Sequence, residues 1–113
     1  SEKGMISVTL TDGKLEIISC DDIVFIESDG RGTAVYFADS VVRTALSVNK
    51  VYQLLPRDLF IEIHKSVFAN LMKIKRIGSD TVEMSTGKSL PMSRRKRKYV
   101  LSSVMSSVES RIK

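Results

Sequence analysis

Phe60-Ile61-Glu62-Ile63-His64-Lys65-Ser66-Val67-Phe68-Ala69-Asn70-Leu71 is the stretch on which the fold turns. Apolar and polar residues alternate up to Ile63, break at His64-Lys65-Ser66, and give way to apolar residues again at Val67-Phe68. A strand that runs into a polar break and out again predicts two strands joined by a tight turn. In such a turn His64, Ser66 and Asn70 ordinarily satisfy backbone groups. Lys65 has only Glu62 as an acidic neighbour in sequence, and a cation on a turn beside a rigid strand is well placed to probe a nucleic-acid backbone or base edge.

Working outward toward the C-terminus, Met72-Lys73-Ile74-Lys75-Arg76-Ile77 alternates with basic residues on one face. Thr81-Val82-Glu83-Met84 then reaches a turn at Thr86-Gly87-Lys88 before Ser89-Leu90-Pro91-Met92. Val100, Leu101, Val104, Met105, Val108 and Ile112 mark one face of a C-terminal helix beginning near Ser93 or Arg94, a stripe able to pack on the domain, on another copy or on a partner. Toward the N-terminus, Val48, Val51, Tyr52 and Leu55 recur at helical spacing behind Ser47, which is placed to cap, and ahead of Pro56, which ends the segment. Further back, Ile23-Val24-Phe25-Ile26, the turn Ser28-Asp29-Gly30-Arg31-Gly32, Thr33-Ala34-Val35-Tyr36-Phe37 and Val41-Val42-Arg43-Thr44 read as strands of a second hairpin and its return. Met5-Ile6-Ser7-Val8-Thr9-Leu10, Asp12-Gly13 and Lys14-Leu15-Glu16-Ile17-Ile18 read as a first hairpin. The expectation is one mostly β domain over residues 1–113, built of small stacked antiparallel sheets, with a short helix near 47–55 and a C-terminal helix.

Composition agrees with a packed domain: 42% hydrophobic and 27% charged residues in a chain of 113 describe neither a disordered tract nor a fibre. Cys20, the only cysteine, has no partner for an internal disulfide and reads as a small buried residue, so a reduced cytoplasm is the expected location. No apolar run reaches the roughly 18 residues of a membrane span, and Ser1-Glu2-Lys3-Gly4 lacks a signal-peptide pattern, so no membrane partner is expected. A start at Ser1 rather than at methionine leaves room for partner domains beyond the chain.

The residues that common enzyme chemistries need are scarce. One histidine, one cysteine, and no G-x-x-x-x-G-K-[ST], H-E-x-x-H or C-x-x-C motif leave the usual nucleophile, phosphate-loop and metal schemes without their parts. Gly30-Arg31-Gly32 reads as a tight turn and Asp21-Asp22 with Asp29 as solvated charge. Neither an enzyme nor a cofactor or metal is expected.

Charge is distributed unevenly. Residues 1–59 carry 6 Lys/Arg against 9 Asp/Glu, whereas residues 60–98 carry 10 against 3. A polyanion would therefore meet the later segment first, and for a cytoplasmic domain DNA or RNA is the commonest such partner. Within that segment Ser93-Arg94-Arg95-Lys96-Arg97-Lys98 sets five cations in a row at a helix start. Cations there oppose the helix dipole at a cost of about 0.3 to 1 kcal/mol, a conflict that a bound phosphate reverses.

The order Ile23-Val24-Phe25-Ile26-Glu27-Ser28, Leu54-Leu55-Pro56, Phe60-Ile61-Glu62-Ile63-His64-Lys65-Ser66 with Asn70, Gly87-Lys88 and Leu90-Pro91-Met92-Ser93-Arg94-Arg95 resembles the LytTR DNA-binding domain of bacterial response regulators. The resemblance covers about residues 15–100, leaving 101–113 as a helical extension. It implies stacked small sheets, a receiver domain attached in many members, and loops rather than a recognition helix entering successive major grooves, usually at paired direct repeats. Carried over residue by residue, it implies base reading by Arg31 and Thr33, by Lys65 just after the histidine, and by Arg95 after the Ser-Arg pair. Members often have arginine after that histidine, so Lys65 replaces a bidentate fork with a point charge. Lys73, Arg94, Lys96 and Arg97 are the cations expected to neutralise phosphates.

The expected partners are double-stranded DNA, a receiver or sensor domain outside this chain, and a second copy forming a homodimer on DNA. The competing expectation is a protein-interaction module that uses its exposed β edges and terminal helix, with the basic run as a solvated surface. RNA ranks lower, because the three tyrosines and four phenylalanines mostly occupy core-like positions.

Overall fold

The computed structural model describes residues 4–112, with side chains described through Glu109. Among these residues the strands form three antiparallel sheets. β1 (Met5–Thr9) and β2 (Leu15–Ser19) make a two-stranded hairpin. β3 (Phe25–Asp29), β4 (Gly32–Tyr36), β5 (Val41–Thr44), β6 (Phe60–His64) and β7 (Val67–Asn70) make a five-stranded sheet in the order β5-β4-β3-β7-β6. β8 (Ile74–Ile77), β9 (Thr81–Met84) and β10 (Ser89–Pro91) form the third, in the order β10-β9-β8. Helix α1 (Val48–Leu54) precedes β6, and α2 (Arg97–Ile112) ends the described chain.

The central sheet is buried on both faces because its strands offer apolar side chains both ways. Ile61, Ile63, Val67, Ala69 and Phe25 join Val82, Met84, Leu90, Met92 and Val100 in a core shared with the three-stranded sheet and α2. Phe60, Phe68, Ile26 and Val35 join Val8, Ile18, Val48 and Val51 in a second core under the hairpin and α1. Adjacent residues such as Ile61 and Phe60 thus serve opposite cores, as the two-residue period of a strand requires. Each fully buried side chain of this size contributes about 1.5–3 kcal/mol. Stacked rings add to this: Tyr52 of α1 lies 4.4 Å from Phe68 and joins helix to sheet, while within the sheet Phe25 lies 4.2 Å from its cross-strand neighbour Tyr36.

The expected mostly β class, short helix and terminal helix are present, with three local departures. Ser47 caps α1 as expected, its Oγ accepting the Lys50 N–H at 3.3 Å. The strand expected from Met72 begins only at Ile74, because the Asn70 Oδ1 accepts the Met72 N–H at 2.9 Å and folds Leu71–Lys73 into a single 3-10 turn. Similarly, β3 begins at Phe25 after a 3-10 turn at Cys20–Asp22.

The third departure is in α2, which begins at Arg97 behind a 3-10 turn at Arg94–Lys96 rather than near Ser93 or Arg94; its apolar face packs on the domain only in part. Val100 is fully buried and Val104 packs against the core, but Met105 is 59% and Val108 37% exposed. The helix seats along Val100, Val104 and Ser107, whose Oγ lies 3.5 Å from the Met72 sulfur, so the line through Met105 and Val108 is rotated outward. The Ile112 side chain lies outside the described residues. Among the described residues no helix is long and apolar enough to cross a membrane.

Candidate nucleic-acid interface

One end of the central sheet gathers turns from distant parts of the sequence. The β3–β4 turn is held at Gly30, whose φ of 60° suits glycine, and at Gly32, where a Cβ would collide with the Thr44 carbonyl oxygen. Arg31 stands exposed between them. The β6–β7 turn lies at the same end, since β3 and β7 are antiparallel with Glu27 opposite Val67, and the Ser28 N–H donates to the Ser66 carbonyl oxygen at 3.0 Å. His64 and Lys65 are exposed on it, and Ser66 has a φ of 61°, a left-handed conformation that costs a non-glycine residue roughly 1–2 kcal/mol.

The basic run is tied to this end by backbone. The Ser93 N–H donates to the Ile63 carbonyl oxygen at 2.8 Å, so the 3-10 turn Arg94–Lys96 begins beside the last residues of β6. Across from it the β8–β9 turn supplies further anchors. Arg97 Nε donates to the Gly78 carbonyl oxygen at 2.7 Å, Met92 N–H to that of Asp80 at 2.9 Å, and Arg94 lies 3.5 Å from the Asp80 carboxylate. The two oxygens of Glu62 are divided between two turns: Oε1 lies 3.1 Å from Lys96 Nζ, and Oε2 accepts the Ser66 N–H at 3.1 Å.

Arg31, Lys65 and Arg95 are therefore brought to one end, exposed and without a salt bridge among the described residues. Arg94 joins them, and its bridge to Asp80, with side chains 79% and 54% exposed, is of a kind worth about 0–1 kcal/mol and readily exchanged for another anion. Arg97 is half-buried and committed through Nε to Gly78, and Lys96 is engaged by Glu62. Thr33 is fully buried, and its hydroxyl donates to the Leu46 carbonyl oxygen at 2.8 Å, so it faces the interior and anchors the approach to α1.

Lys73 lies elsewhere. β7 runs away from the Lys65 turn toward Asn70, and the 3-10 turn that follows carries Lys73 to the opposite end, where the Ser85 N–H donates to its carbonyl oxygen at 2.7 Å. It lines a groove there with Glu16, Asp22 and Asp39.

Sequence reasoning passed over two residues at the basic end. Arg43 reaches it from β5 and pairs with Asp29 at 3.0 Å, a contact set by the sheet register, which no local pattern announces. Lys98 is exposed on the first turn of α2, a turn that carries no acidic residue; the uninterrupted cation run already pointed to it.

Two ionisable groups are displaced from their ordinary values. Burial, and then its hydrogen bond to Glu27 at 3.0 Å, pushes the Tyr36 phenol up. Burial, and then the charge of Asp21, pushes the Cys20 thiol up. Among the described residues no group of three or more His, Cys, Asp or Glu is arranged to hold a metal ion.

The geometry is that of guanidinium and ammonium groups on short, braced turns. Arginine's planar fork can take a phosphate or the O6/N7 edge of guanine, whereas a lysine acts as a point charge.

The family model described as the LytTr DNA-binding domain matches residues 13–105. A solved structure, the LytTr DNA-binding domain assigned to a methyl-accepting/DNA response regulator from Bacillus cereus, shares the fold with a TM-score of 0.74 at 24% identity, covering 90% of this chain and 97% of that one. No curated protein matches the chain.

Proposed function

The chain belongs to the LytTr DNA-binding domain family, and from that premise we propose that it is the sequence-specific, double-stranded-DNA-binding output domain of a transcription regulator. The observation that carries this reading is the gathering of Arg31, Lys65 and Arg95 on three turns at one end of a rigid sheet. Arg31, Lys65 and Arg95 read base edges; Arg94 and Lys98 neutralise phosphates, with Arg97 contributing charge from its seat on Gly78. Thr33 takes a structural place behind Arg31, and Lys73 lies outside the contact surface.

On this reading the short, braced turns, small enough for a major groove about 12 Å wide, enter successive major grooves of one duplex. Two copies on paired direct repeats then make the functional unit on promoter DNA in the cytoplasm. A receiver or sensor unit is the partner that would control it. The whole chain acts as one domain, with binding rather than catalysis as its activity.

Selection of bound duplexes from a random pool tests this. The expected product is a direct repeat with groove-scale spacing, bound with an affinity that falls steeply with salt. A pool that shows no enrichment contradicts sequence-specific binding. It would favour instead the protein-interaction reading, for which the outward-facing Met105 and Val108 of α2 are the supporting observation.

A further inference from the structure

A carboxylate at a surface meant for a polyanion lowers affinity for every DNA sequence, so Glu62 calls for an explanation. It sits on the edge strand β6, beside the five consecutive cations of residues 94–98, and its side chain is 39% exposed. An ordinary surface ion pair would use one of its oxygens and leave the other to water. Here the second oxygen accepts the N–H of Ser66, the one non-glycine residue at positive φ among the described residues. The first holds Lys96, whose side chain is only 26% exposed.

Both partners of Glu62 are the immediate C-terminal neighbours of residues assigned above to base reading. Ser66 follows Lys65, and Lys96 follows Arg95. A single carboxylate thus links two turns that lie 30 residues apart in sequence, from Ser66 to Lys96, and fixes the orientation of one against the other.

We propose that Glu62 is a positioning residue for specificity: it braces the Lys65 and Arg95 turns against each other, trading general electrostatic attraction to DNA for a fixed spacing between two reading side chains. The role rests on the DNA-binding reading given above. It also accounts for Lys96, whose charge serves this brace rather than a phosphate.

The two effects of removing the charge have opposite signs, which makes the role testable. Glu62→Gln raises the net positive charge at the interface, and electrostatics alone then tightens binding to all duplexes alike. Loss of the brace instead weakens binding to the selected duplex about tenfold while leaving binding to a random duplex unchanged or tighter. Glu62→Asp keeps the charge but is too short to span both partners, and it is expected to lose specific affinity in the same way. Lys96→Met is expected to cost specific affinity too, and its combination with Glu62→Gln to cost less than the sum of the two.

The experiment is a fluorescence-anisotropy titration of the wild type and these variants against the selected duplex and a random one at several salt concentrations. Tighter binding of Glu62→Gln to both duplexes in step, or wild-type behaviour of Glu62→Asp, overturns the positioning role while the DNA-binding reading stands. A wild type that prefers no duplex overturns the sequence-specific reading, and the role of Glu62 with it.

Discussion

The backbone bond from Ser93 N–H to the Ile63 carbonyl oxygen, 2.8 Å long, sets the start of the cationic turn beside the end of β6. Two residues beyond Ile63 stands Lys65, and two residues beyond Ser93 stands Arg95. Because Phe60, Ile61 and Ile63 of β6 are buried in the two cores, this bond ties the cationic turn to a strand anchored in the interior. Separating the two turns would have to break this bond and the Glu62 contacts beside it.

Arg95 and Lys98 are both exposed at this end, but they are assigned different work. Arg95→Ala is expected to lose about 1 to 3 kcal/mol of affinity for the selected duplex and much less for a random one. Lys98→Ala is expected to weaken both alike and to reduce the salt slope by about one. Titrations at several salt concentrations read both quantities, and equal losses on the two duplexes for Arg95→Ala would remove its base-reading role.

Lys73 provides a control of the same charge at the opposite end. Lys73→Ala is expected to change affinity for the selected duplex by less than about 0.5 kcal/mol and to leave the salt slope in place. A slope reduced as much as in Lys98→Ala would mean that the DNA reaches the far end of the sheet.

Thr33 and Asn70 are buried polar residues whose bonds serve the fold. Thr33→Val leaves the Leu46 carbonyl without its donor and is expected to cost about 1–2 kcal/mol in urea denaturation, with DNA affinity of the folded protein unchanged. Asn70 donates to the Ile23 carbonyl oxygen at 2.7 Å and accepts the Met72 N–H at 2.9 Å. Asn70→Ala strands both groups, and a larger loss of about 2–4 kcal/mol is expected. A Thr33→Val protein of full stability with lost specific affinity would return Thr33 to the interface.

Alkaline pH should weaken the fold through Cys20 and Tyr36. Both are raised above their ordinary values of 9.0 and 10.0, so the folded state holds these protons more tightly than the unfolded state does. Their contribution is complete below those ordinary values and is lost as pH rises through the higher folded ones. Urea midpoints should therefore fall as pH climbs past 9.0 and 10.0, and Tyr36→Phe should reduce the fall. An unaltered pH dependence in that variant would contradict the Tyr36 share.

What sequence reading reached, and what it missed, follows from the range of the interactions. The hairpin through Lys65 was legible because alternation and a polar break are local. Lys73 fits the pattern of a basic strand face because Lys75 and Arg76 continue it, yet one Asn70 side chain turns Leu71–Lys73 into a 3-10 turn. Its place at the far end then follows from the direction of β7 in a sheet whose neighbours are not consecutive in sequence. Thr33 matched a family position, but its burial depends on Leu46, 13 residues away. The link from Glu62 to Lys96 spans 34 residues, and no periodicity carries that information.

On the proposed reading a single end of the sheet, bearing residues 29–32, 64–66 and 93–98, is the surface that meets DNA. Backbone amide NMR of the protein titrated with its selected duplex maps that surface. Shifts concentrated in those three segments, with residues 16–22, 38–40 and 71–73 unmoved, are the predicted result. Shifts concentrated around Lys73 and the 38–40 turn, with the Lys65 and Arg95 turns silent, would contradict it.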